Sequence, residues 1–315
     1  MASTLSEESQ FVVDLLTTLR HEKFSPMAWA RFLARSWKMS RQTANANPGL
    51  KHSWGRVSLA LSMLALVLLA ASFGLEGPAI ALRLLPGVLF CVVWQINDLY
   101  WHLGLNRQPQ TGGLLPIVGV ANFCTQLRGL GASYLLGRLV DGVPTPTILI
   151  LLIFLCGIIT DILDGQFARR SHTQSKLGQI TDGEADFCLY LAVTLMLIQN
   201  SILPVWVGIL MLARFLLPLL AALASYFLLA HPVHFGSTVW GKYAGLAQCL
   251  YFLILLAPTQ LAEITRLINL PLLLVTLALM IAAPTAQIVA NVRQASDQGG
   301  GKPRPYPERE KRTPS

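Results

Sequence analysis

Residues 161–186 read DILDGQFARRSHTQSKLGQITDGEAD and carry four aspartates at helical spacing. The aspartates form two pairs: Asp161 and Asp164, three residues apart, and Asp182 and Asp186, four residues apart. Residues three or four apart are neighbours on the surface of an α-helix, so each pair is predicted to lie on one helix face. Glu184 falls on roughly the opposite side of its helix, and we expect it to be solvated.

The second aspartate pair is too close to an apolar run to stand outside a membrane. Only 12 residues, Phe187–Ile198, are predominantly apolar. At 1.5 Å per residue they cover about 18 Å of a hydrocarbon core about 30 Å thick. A helix that crosses must therefore begin near Gly178, which draws Asp182 and Asp186 below the membrane surface. The first pair ends a similarly short span. Carboxylates at this depth are costly unless a cation or a water-filled cavity compensates them.

The rest of the chain has the composition of a membrane protein. Of its 315 residues, 53% are hydrophobic and 13% are charged, whereas an ordinary soluble domain carries roughly a quarter charged residues. This excludes a mainly disordered chain, and the long apolar runs argue against a soluble one. Turn-forming residues separate eight apolar segments: 57–75, 79–97, 118–140, 147–163, 178–200, 203–230, 240–257 and 267–290. The predicted fold class is therefore all-α, a polytopic integral membrane protein.

The basic residues predict the orientation. Most of the 24 Lys and Arg residues fall on one side of the membrane if the amino terminus is cytoplasmic, which is the bias that cytoplasmic loops carry. We therefore expect an even number of spans in a cell inner membrane, with both termini and the active site cytoplasmic. This bias accounts for the net charge of +8, so no nucleic-acid partner is expected.

Residues 1–56 are predicted to form a cytoplasmic extension with one amphipathic helix. Ser25-Pro26 is a helix-start signal. In the helix that follows, apolar and basic residues take opposite arcs: Trp29, Phe32, Leu33 and Trp37 against Arg31, Arg35, Lys38 and Arg41. This pattern favours an interfacial helix on an anionic leaflet, although a helix packed on another element gives the same pattern. Residues 57–97 supply two transmembrane helices, and 294–315 are expected to be a disordered cytoplasmic tail.

Clustered carboxylates at membrane depth suit hard divalent cations. Mg²⁺ and Mn²⁺ prefer oxygen ligands and bind jointly with substrate phosphates. Two such ions, the number expected here, can clamp the attacking and leaving oxygens of a phosphoryl transfer. Gly165 and Ala168 leave room for a nucleotide diphosphate to approach the backbone. Arg169 offers a fork for a phosphate, and Gly178 permits a close helix approach. Two other interpretations stay open: interfacial aspartates satisfied by water or by Arg169 and Arg170, and a cation or proton transporter.

The same residues resemble the signature of the CDP-alcohol phosphotransferase family, D-x2-D-G-x2-A-R-x8-G-x3-D-x3-D. Every spacing is kept, at Asp161, Asp164, Gly165, Ala168, Arg169, Gly178, Asp182 and Asp186. The resemblance implies a six-helix catalytic core, supplied here by residues 118–293 and preceded by the two additional transmembrane helices. It also implies transfer of a substituted phosphate from a CDP-alcohol, usually CDP-diacylglycerol, to an acceptor hydroxyl with release of CMP, and a possible homodimer in the bilayer.

The resemblance further implies a role for each signature residue. The aspartates Asp161, Asp164 and Asp182 would be metal ligands, and Asp186 would be the base and could also be a ligand. The CDP site would be lined by Gly165, Ala168, Arg169 and Gly178.

Three weaker matches resemble phosphatidylglycerophosphate synthases and bear on the acceptor. They are Asn122-x2-Thr125-x2-Arg128, Arg214 within a span, and Gly241-Lys242 followed by Ala247-Gln248. The chain departs from those enzymes at Phe215, where they often carry Glu, and at Ala244 and Gly245, which replace Lys and Thr.

The matches imply glycerol 3-phosphate as acceptor, with inositol phosphate, inositol or serine as alternatives. The residues implied to bind it are Asn122, Thr125, Arg128, Arg214 and Lys242. From the residues alone, Arg214 could equally pair with a site aspartate or a polar neighbour, and Lys242 could be a positive-inside anchor.

Overall fold

The computed structural model describes residues 18–19, 21–108, 111–142, 145–171, 173–224 and 239–299. Within them the chain forms nine long α-helices: α1 (Pro26–Ala46), α2 (Pro48–Glu76), α3 (Pro78–Trp101), α4 (Val120–Asp141), α5 (Thr147–Arg170), α6 (Lys176–Gln199), α7 (Val205–Ala224), α8 (Val239–Leu255) and α9 (Ala262–Gly299). Two short 3₁₀ turns, Leu103–Leu105 and Thr259–Leu261, precede α4 and α9. The predicted all-α class is confirmed.

Each of the eight predicted apolar segments overlaps one helix from α2 to α9. Four stretches are long and apolar enough to cross a membrane: Pro48–Glu76, Pro78–Trp101, Thr147–Arg170 and Thr259–Ala286. The sixth predicted segment, 203–230, extends past the end of α7 into residues that lie outside the described part. The polytopic membrane architecture is therefore confirmed.

The carboxyl-terminal end of the chain differs from the prediction. The expected disordered tail begins at residue 294, but α9 continues to Gly299, so residues 294–299 are helical. Residues 300–315 lie outside the described residues, as do residues 1–17 of the extension. The tail contains no strong helix breaker before the glycine run at 299–301, which explains why a helix that has already begun can propagate to that point.

Helix α4 occupies the middle of the bundle. It packs against α3, α5 and α6, while α2 lies behind α3, α7 contacts α6 and α9, and α8 pairs with α9. Because α4 is surrounded by protein, its polar residues face inward: Asn122, Thr125, Gln126, Arg128, Ser133 and Arg138 are all buried. The buried guanidinium of Arg138 donates to Glu76 of α2 at 2.6 Å. The central position of α4 thus makes a relatively polar transmembrane helix stable.

Small residues set the distance between α3 and α4. A Cβ added to Gly87 would lie 2.9 Å from the Cα of Gly137, and one added to Gly137 would lie 2.6 Å from Cγ2 of Val88. Small residues allow helix backbones to approach closely in membranes. The additional helix α3 is therefore packed tightly onto the predicted catalytic core.

The predicted amphipathic helix forms and docks through one end of its apolar arc. Ser25 caps α1 by accepting a hydrogen bond from the amide of Ala28 at 3.2 Å. Trp37 packs edge-on against Trp101 at the end of α3, with ring centroids 5.6 Å apart, and the Trp101 indole donates to Ser36 at 2.7 Å. The four basic residues of the opposite arc are exposed. The helix thus packs on the bundle while presenting its basic face outward.

Candidate active site

The four aspartates of the 161–186 stretch converge on one guanidinium group. Arg128 of α4 is 1% exposed and contacts all four carboxylates. Its Nη2 lies 3.0 Å from Asp164 Oδ2, and its Nη1 lies 3.1 Å from Asp186 Oδ1. The same two nitrogens donate to Asp161 and Asp182. The helical spacing predicted for each pair is confirmed, and α4 supplies the positive charge between the pairs.

Three of the four carboxylates could hold a cation together. Oxygen atoms of Asp161, Asp182 and Asp186 all lie within 4.8 Å of one another. These side chains are 51%, 46% and 36% exposed, so the cluster is open on one side. Asp164 is the buried member and accepts a hydrogen bond from Thr125 at 3.0 Å. Three of the aspartates thus form an open group, and the fourth, Asp164, is buried and held by Thr125.

One face of α4 organises the cluster. Asn122, Thr125 and Arg128 are three residues apart and therefore neighbours on that face. Thr125 and Arg128 bind the aspartates, and the Oδ1 of Asn122 would lie 2.9 Å from a Cβ added to Gly178. Glycine at position 178 thus makes room for the Asn122 side chain where α6 approaches α4. The structure places Thr125 and Arg128 against the aspartates and Asn122 beside Gly178, whereas the resemblance assigned all three to the acceptor.

The residues present fit a hard divalent metal. The donors are all carboxylate oxygens, which suit Mg²⁺ or Mn²⁺, and the exposed side of the cluster leaves room for the waters that Mg²⁺ retains. Four ionised aspartates and the guanidinium of Arg128 together carry a net charge of −3. Such an excess of negative charge at membrane depth favours cation binding.

A model of the CDP-alcohol phosphatidyltransferase family matches residues 118–285. This match covers more than half of the chain. The chain belongs to the CDP-alcohol phosphatidyltransferase family. Searches of curated proteins and of solved structures gave no significant match.

Family membership establishes the general activity. This phosphatidyltransferase is an integral membrane enzyme that transfers a phosphatidyl group from a CDP-alcohol to an alcohol, and its family uses divalent metal ions. The matched region begins just before α4 and ends within α9, so it contains the six helices α4–α9 in whole or in part. Helices α2 and α3 lie outside it.

In this phosphatidyltransferase the residues expected to line the CDP site lie beside the cluster. A Cβ on Gly165 would lie 3.2 Å from Nη1 of Arg169, so the guanidinium of Arg169 rests over the glycine. Arg169 is exposed in the last turn of α5, where a cation also interacts favourably with the helix dipole. Ala168 is half-buried on the preceding position. This arrangement leaves an exposed positive group next to a backbone without side-chain bulk.

The three cations expected at the acceptor have different partners. Arg128 lies within the aspartate cluster. Arg214 donates to Gln248 at 2.9 Å and stacks over the Phe215 ring at 4.6 Å. Lys242 is exposed in the first turn of α8. Arg214 thus has a polar neighbour, which was one of the alternatives left open by the sequence. Its remaining N–H groups can still donate to a ligand.

Two of the three departures from the synthase-like pattern, Phe215 and Gly245, lie beside Arg214. Phe215 provides the ring on which its guanidinium stacks, and a Cβ on Gly245 would lie 2.8 Å from Nη2. Glycine at this position therefore gives Arg214 room. Sequence reasoning did not link these positions because they are 30 residues apart in the chain and meet only where α7 faces α8.

Sequence reasoning also missed a second polar group, Asp98 and His102 at the end of α3 together with Glu184 of α6. The three side chains belong to helices separated by the whole of α4 and α5. A carboxylate four residues before a histidine in a helix is a local signal that could have identified the first two.

Proposed function

We propose that this phosphatidyltransferase uses CDP-diacylglycerol as donor and glycerol 3-phosphate as acceptor, and releases CMP on the cytoplasmic side of a cell inner membrane. The observation that carries the proposal is the convergence of Asp161, Asp164, Asp182 and Asp186 around Arg128. Two divalent ions, Mg²⁺ or Mn²⁺, are the cofactors that this donor set suits. Bound there, they would supply charge stabilisation for the phosphates in the transition state.

Asp186 is the best placed of the four to act as the base. Asp161, Asp164 and Asp182 each accept hydrogen bonds from Arg128, and Asp164 accepts another from Thr125. Among the described residues, the ion pair at 3.1 Å is the polar contact shown for Asp186, so its carboxylate is less engaged than the other three; it is also 36% exposed. We therefore assign Asp161, Asp164 and Asp182 to metal binding, and Asp186 to accepting the proton, with a contribution to metal binding.

The reaction then needs one bond to form and one to break. The acceptor hydroxyl gives its proton to Asp186 as its oxygen attacks the phosphorus that bears the diacylglycerol. The bond from that phosphorus to the oxygen of CMP breaks, and CMP leaves with the electron pair. Arg169, beside Gly165, is assigned to the phosphates of the CDP group because a guanidinium offers two parallel donors. Ala168 and Gly178 complete the proposed CDP site through their small size.

The acceptor assignment depends on basic side chains that are not paired with the four aspartates. Both terminal nitrogens of Arg128 are engaged by carboxylates, so its contribution, like that of Asn122 and Thr125, would be to hold the site against which the acceptor binds. Arg214 and Lys242 remain for a phosphate group. Arg214 uses Nη1 for Gln248 and keeps other donors, and Lys242 is exposed. This supports a phosphorylated acceptor over serine or inositol.

The experiment is CMP release by the purified protein with CDP-diacylglycerol and Mg²⁺ or Mn²⁺. Glycerol 3-phosphate, inositol 1-phosphate, inositol and serine are compared as acceptors. We expect release that requires the metal and glycerol 3-phosphate, and that Asp186→Asn abolishes. Glu263→Gln, which removes an acidic residue from the first turn of α9, serves as the control and should keep full activity.

Each other outcome has a definite meaning. Release with a different acceptor keeps the donor and replaces glycerol 3-phosphate. If the protein binds CDP but releases no CMP with any of the four acceptors, the donor is a different CDP-alcohol. Cation or proton flux through the reconstituted protein, with no CDP binding, would favour the transporter hypothesis, which family membership disfavours. The homodimer implied by the resemblance stays a prediction.

A further inference from the structure

Helix α1 docks on the end of the bundle that carries the aspartate cluster. A Cβ on Gly104, in the 3₁₀ turn before α4, would lie 3.6 Å from Oγ1 of Thr43 on α1. Just after that turn, the carbonyl of Arg107 accepts a hydrogen bond from the amide of Lys176, the first residue of α6. Helix α6 carries two of the four aspartates in its first half. A molecule bound to α1 is therefore held at the same end of the bundle as this site.

Four aromatic rings indicate the depth of α1 relative to the bilayer. Tyr100, near the end of α3, contacts Trp37 of α1 and Trp54 of α2, with ring centroids 5.3 and 4.9 Å away. Trp37 also packs against Trp101. Trp54 lies two residues before Arg56, the last charged residue before a long apolar run. Tryptophan and tyrosine concentrate at the membrane–water interface, so these rings lie at the level of the lipid headgroups.

Helix α1 turns back at its junction with α2 instead of continuing away from the membrane. Trp37 lies ten residues before Asn47, which separates the two helices, and Trp54 lies seven residues after it. If the helices were collinear, these two positions would be about 25 Å apart along the axis. That separation is too large for both rings to contact Tyr100. Their shared contact therefore brings the middle of α1 to the membrane interface.

The apolar arc of α1 is only partly covered in the first half of the helix. The contacts of α1 with α3 involve its second half, from Ser36 onward. In the first half, Trp29 packs against Phe32 and Phe24, with ring centroids 5.7 and 6.5 Å away. Leu33, one turn before Trp37 on the same arc, is 45% exposed. The arc that packs on the bundle in the second half is thus open in the first half.

The opposite arc of α1 carries only positive charge. Arg35, Lys38 and Arg41 are exposed, and α1 contains no Asp or Glu. Arg31 pairs with Glu22, whereas no carboxylate in the described part of the chain pairs with the other three. Cations held at the level of the headgroups attract the phosphates of anionic lipids.

We propose that α1 lies in the headgroup layer and binds anionic phospholipids. Leu33 faces the acyl chains, and Arg35, Lys38 and Arg41 bind the lipid phosphates. A soluble anionic partner would match the basic arc alone, whereas a bilayer surface also matches the exposed apolar arc and the depth of the aromatic rings. The proposal does not depend on the donor or acceptor assigned above. It gives the amino-terminal extension a role, which is to hold anionic lipids beside the site.

A fluorophore attached to α1 reports which surroundings the helix has in vesicles. Leu33→Cys is labelled with nitrobenzoxadiazole, and the signal of wild-type protein treated in the same way is subtracted because the chain has five cysteines of its own. The full-length protein is reconstituted in phosphatidylcholine alone or with phosphatidylglycerol, each with the same fraction of a nitroxide-labelled lipid as quencher. Gln42→Cys, exposed on the opposite arc, is the matched control position. No CDP-alcohol is present, so the result does not depend on catalysis.

We expect the nitroxide to quench the probe at position 33 about twofold more strongly in vesicles that contain phosphatidylglycerol, because attraction to the headgroups adds to apolar burial. The probe at position 42 should be quenched weakly in both. About 1 M NaCl, which shortens the Debye length to about 3 Å, should remove the difference. The triple variant Arg35→Gln, Lys38→Gln and Arg41→Gln should also remove it, and these exposed side chains are not needed for folding. Arg266→Gln removes an exposed cation from α9 and should leave the difference unchanged.

Three outcomes would overturn the proposal. Equal quenching in the two kinds of vesicle would show that anionic lipid is not the partner of α1. A difference that persists in the folded triple variant, or in wild-type charges at high salt, would show that the basic arc does not provide it. Shielding of the probe that appears only at a high protein-to-lipid ratio would show that a second copy of the chain covers this arc.

Discussion

At the scale of single residues, the most informative side chain is Arg128. One buried guanidinium joins four carboxylates from two helices, and it therefore provides positive charge at the place that we propose for the metal ions. A cation at membrane depth is stable only with such partners. Arg128 and a divalent metal should accordingly substitute for each other in holding the aspartates together.

Arg128→Gln should therefore lower the thermal stability of the metal-free protein more than that of the metal-bound protein. Removing one partner of a fully buried ion pair costs about 3–5 kcal/mol, and the partial exposure of three of the aspartates places this loss towards or below the lower end. Thermal unfolding of the purified protein, with a chelator and with Mn²⁺, measures the difference. Arg138→Gln, which breaks a buried pair with Glu76 away from the site, is the matched control and should lose equal stability in both conditions. An equal loss for Arg128→Gln in both would contradict the prediction.

A second single residue, Arg214, allows a test of the acceptor that we propose. If it binds the phosphate of the acceptor, Arg214→Gln should raise the KM for glycerol 3-phosphate by about tenfold, equivalent to about 1.4 kcal/mol. The KM for the CDP-alcohol should stay constant. Steady-state kinetics with each substrate varied in turn separate the two effects. A change confined to kcat, or an equal change for both substrates, would indicate that Arg214 only positions Gln248.

At the scale of helices, close packing between α3 and α4 joins the additional pair of helices to the core. The approach occurs at Gly87 and Gly137, where backbone meets backbone. A backbone atom cannot rotate away from an added methyl group as a long side chain can, so the two helices must separate or shift.

Gly87→Ala should therefore destabilise the protein by about 1–3 kcal/mol, the usual cost of overpacking. Gly74→Ala is the matched control, since a Cβ there has nothing within 4 Å, and alanine slightly favours a helix. Unfolding of both variants in the same detergent provides the comparison. Equal stability of the two variants would mean that α3 and α4 can move apart freely.

At the scale of the whole molecule, the helix order fixes which loops share a side. With α2–α9 all crossing, the loop before α4 and the turn before α9 fall on opposite sides of the membrane. The basic residues predict that the first of these is cytoplasmic. The aspartate cluster, at the α5 carboxyl end and the α6 amino end, lies on the same side as the loop before α4.

Cysteine labelling with a membrane-impermeant maleimide tests this topology in sealed vesicles of known orientation. Thr111→Cys, in the exposed loop before α4, should be labelled only in inside-out vesicles. Thr259→Cys, in the exposed turn before α9, should be labelled only in right-side-out vesicles. Labelling of both positions from one side would contradict the odd number of spans, α4 to α8, that the predicted arrangement places between them.

The positions of the helices and the pairing of the four aspartates on two helix faces could be predicted from the sequence, because both depend on local information. Apolar run length predicts a span, and separations of three or four residues predict a shared helix face. The signature kept all of its eight positions within 26 residues. The end of α9 was misplaced because composition suggests disorder but does not locate where a continuing helix stops.

What the tertiary structure alone decided is how residues distant in the chain meet. Arg128 could be recognised as part of an acceptor-like motif, yet its contact with all four aspartates depends on α4 lying between α3, α5 and α6. The grouping of Asp98, His102 and Glu184 depends on the same packing. Spacing along one helix defines a face, but the partner of that face is chosen by the packing of the whole bundle, in which small residues such as Gly87, Gly137 and Gly178 set which backbones can touch.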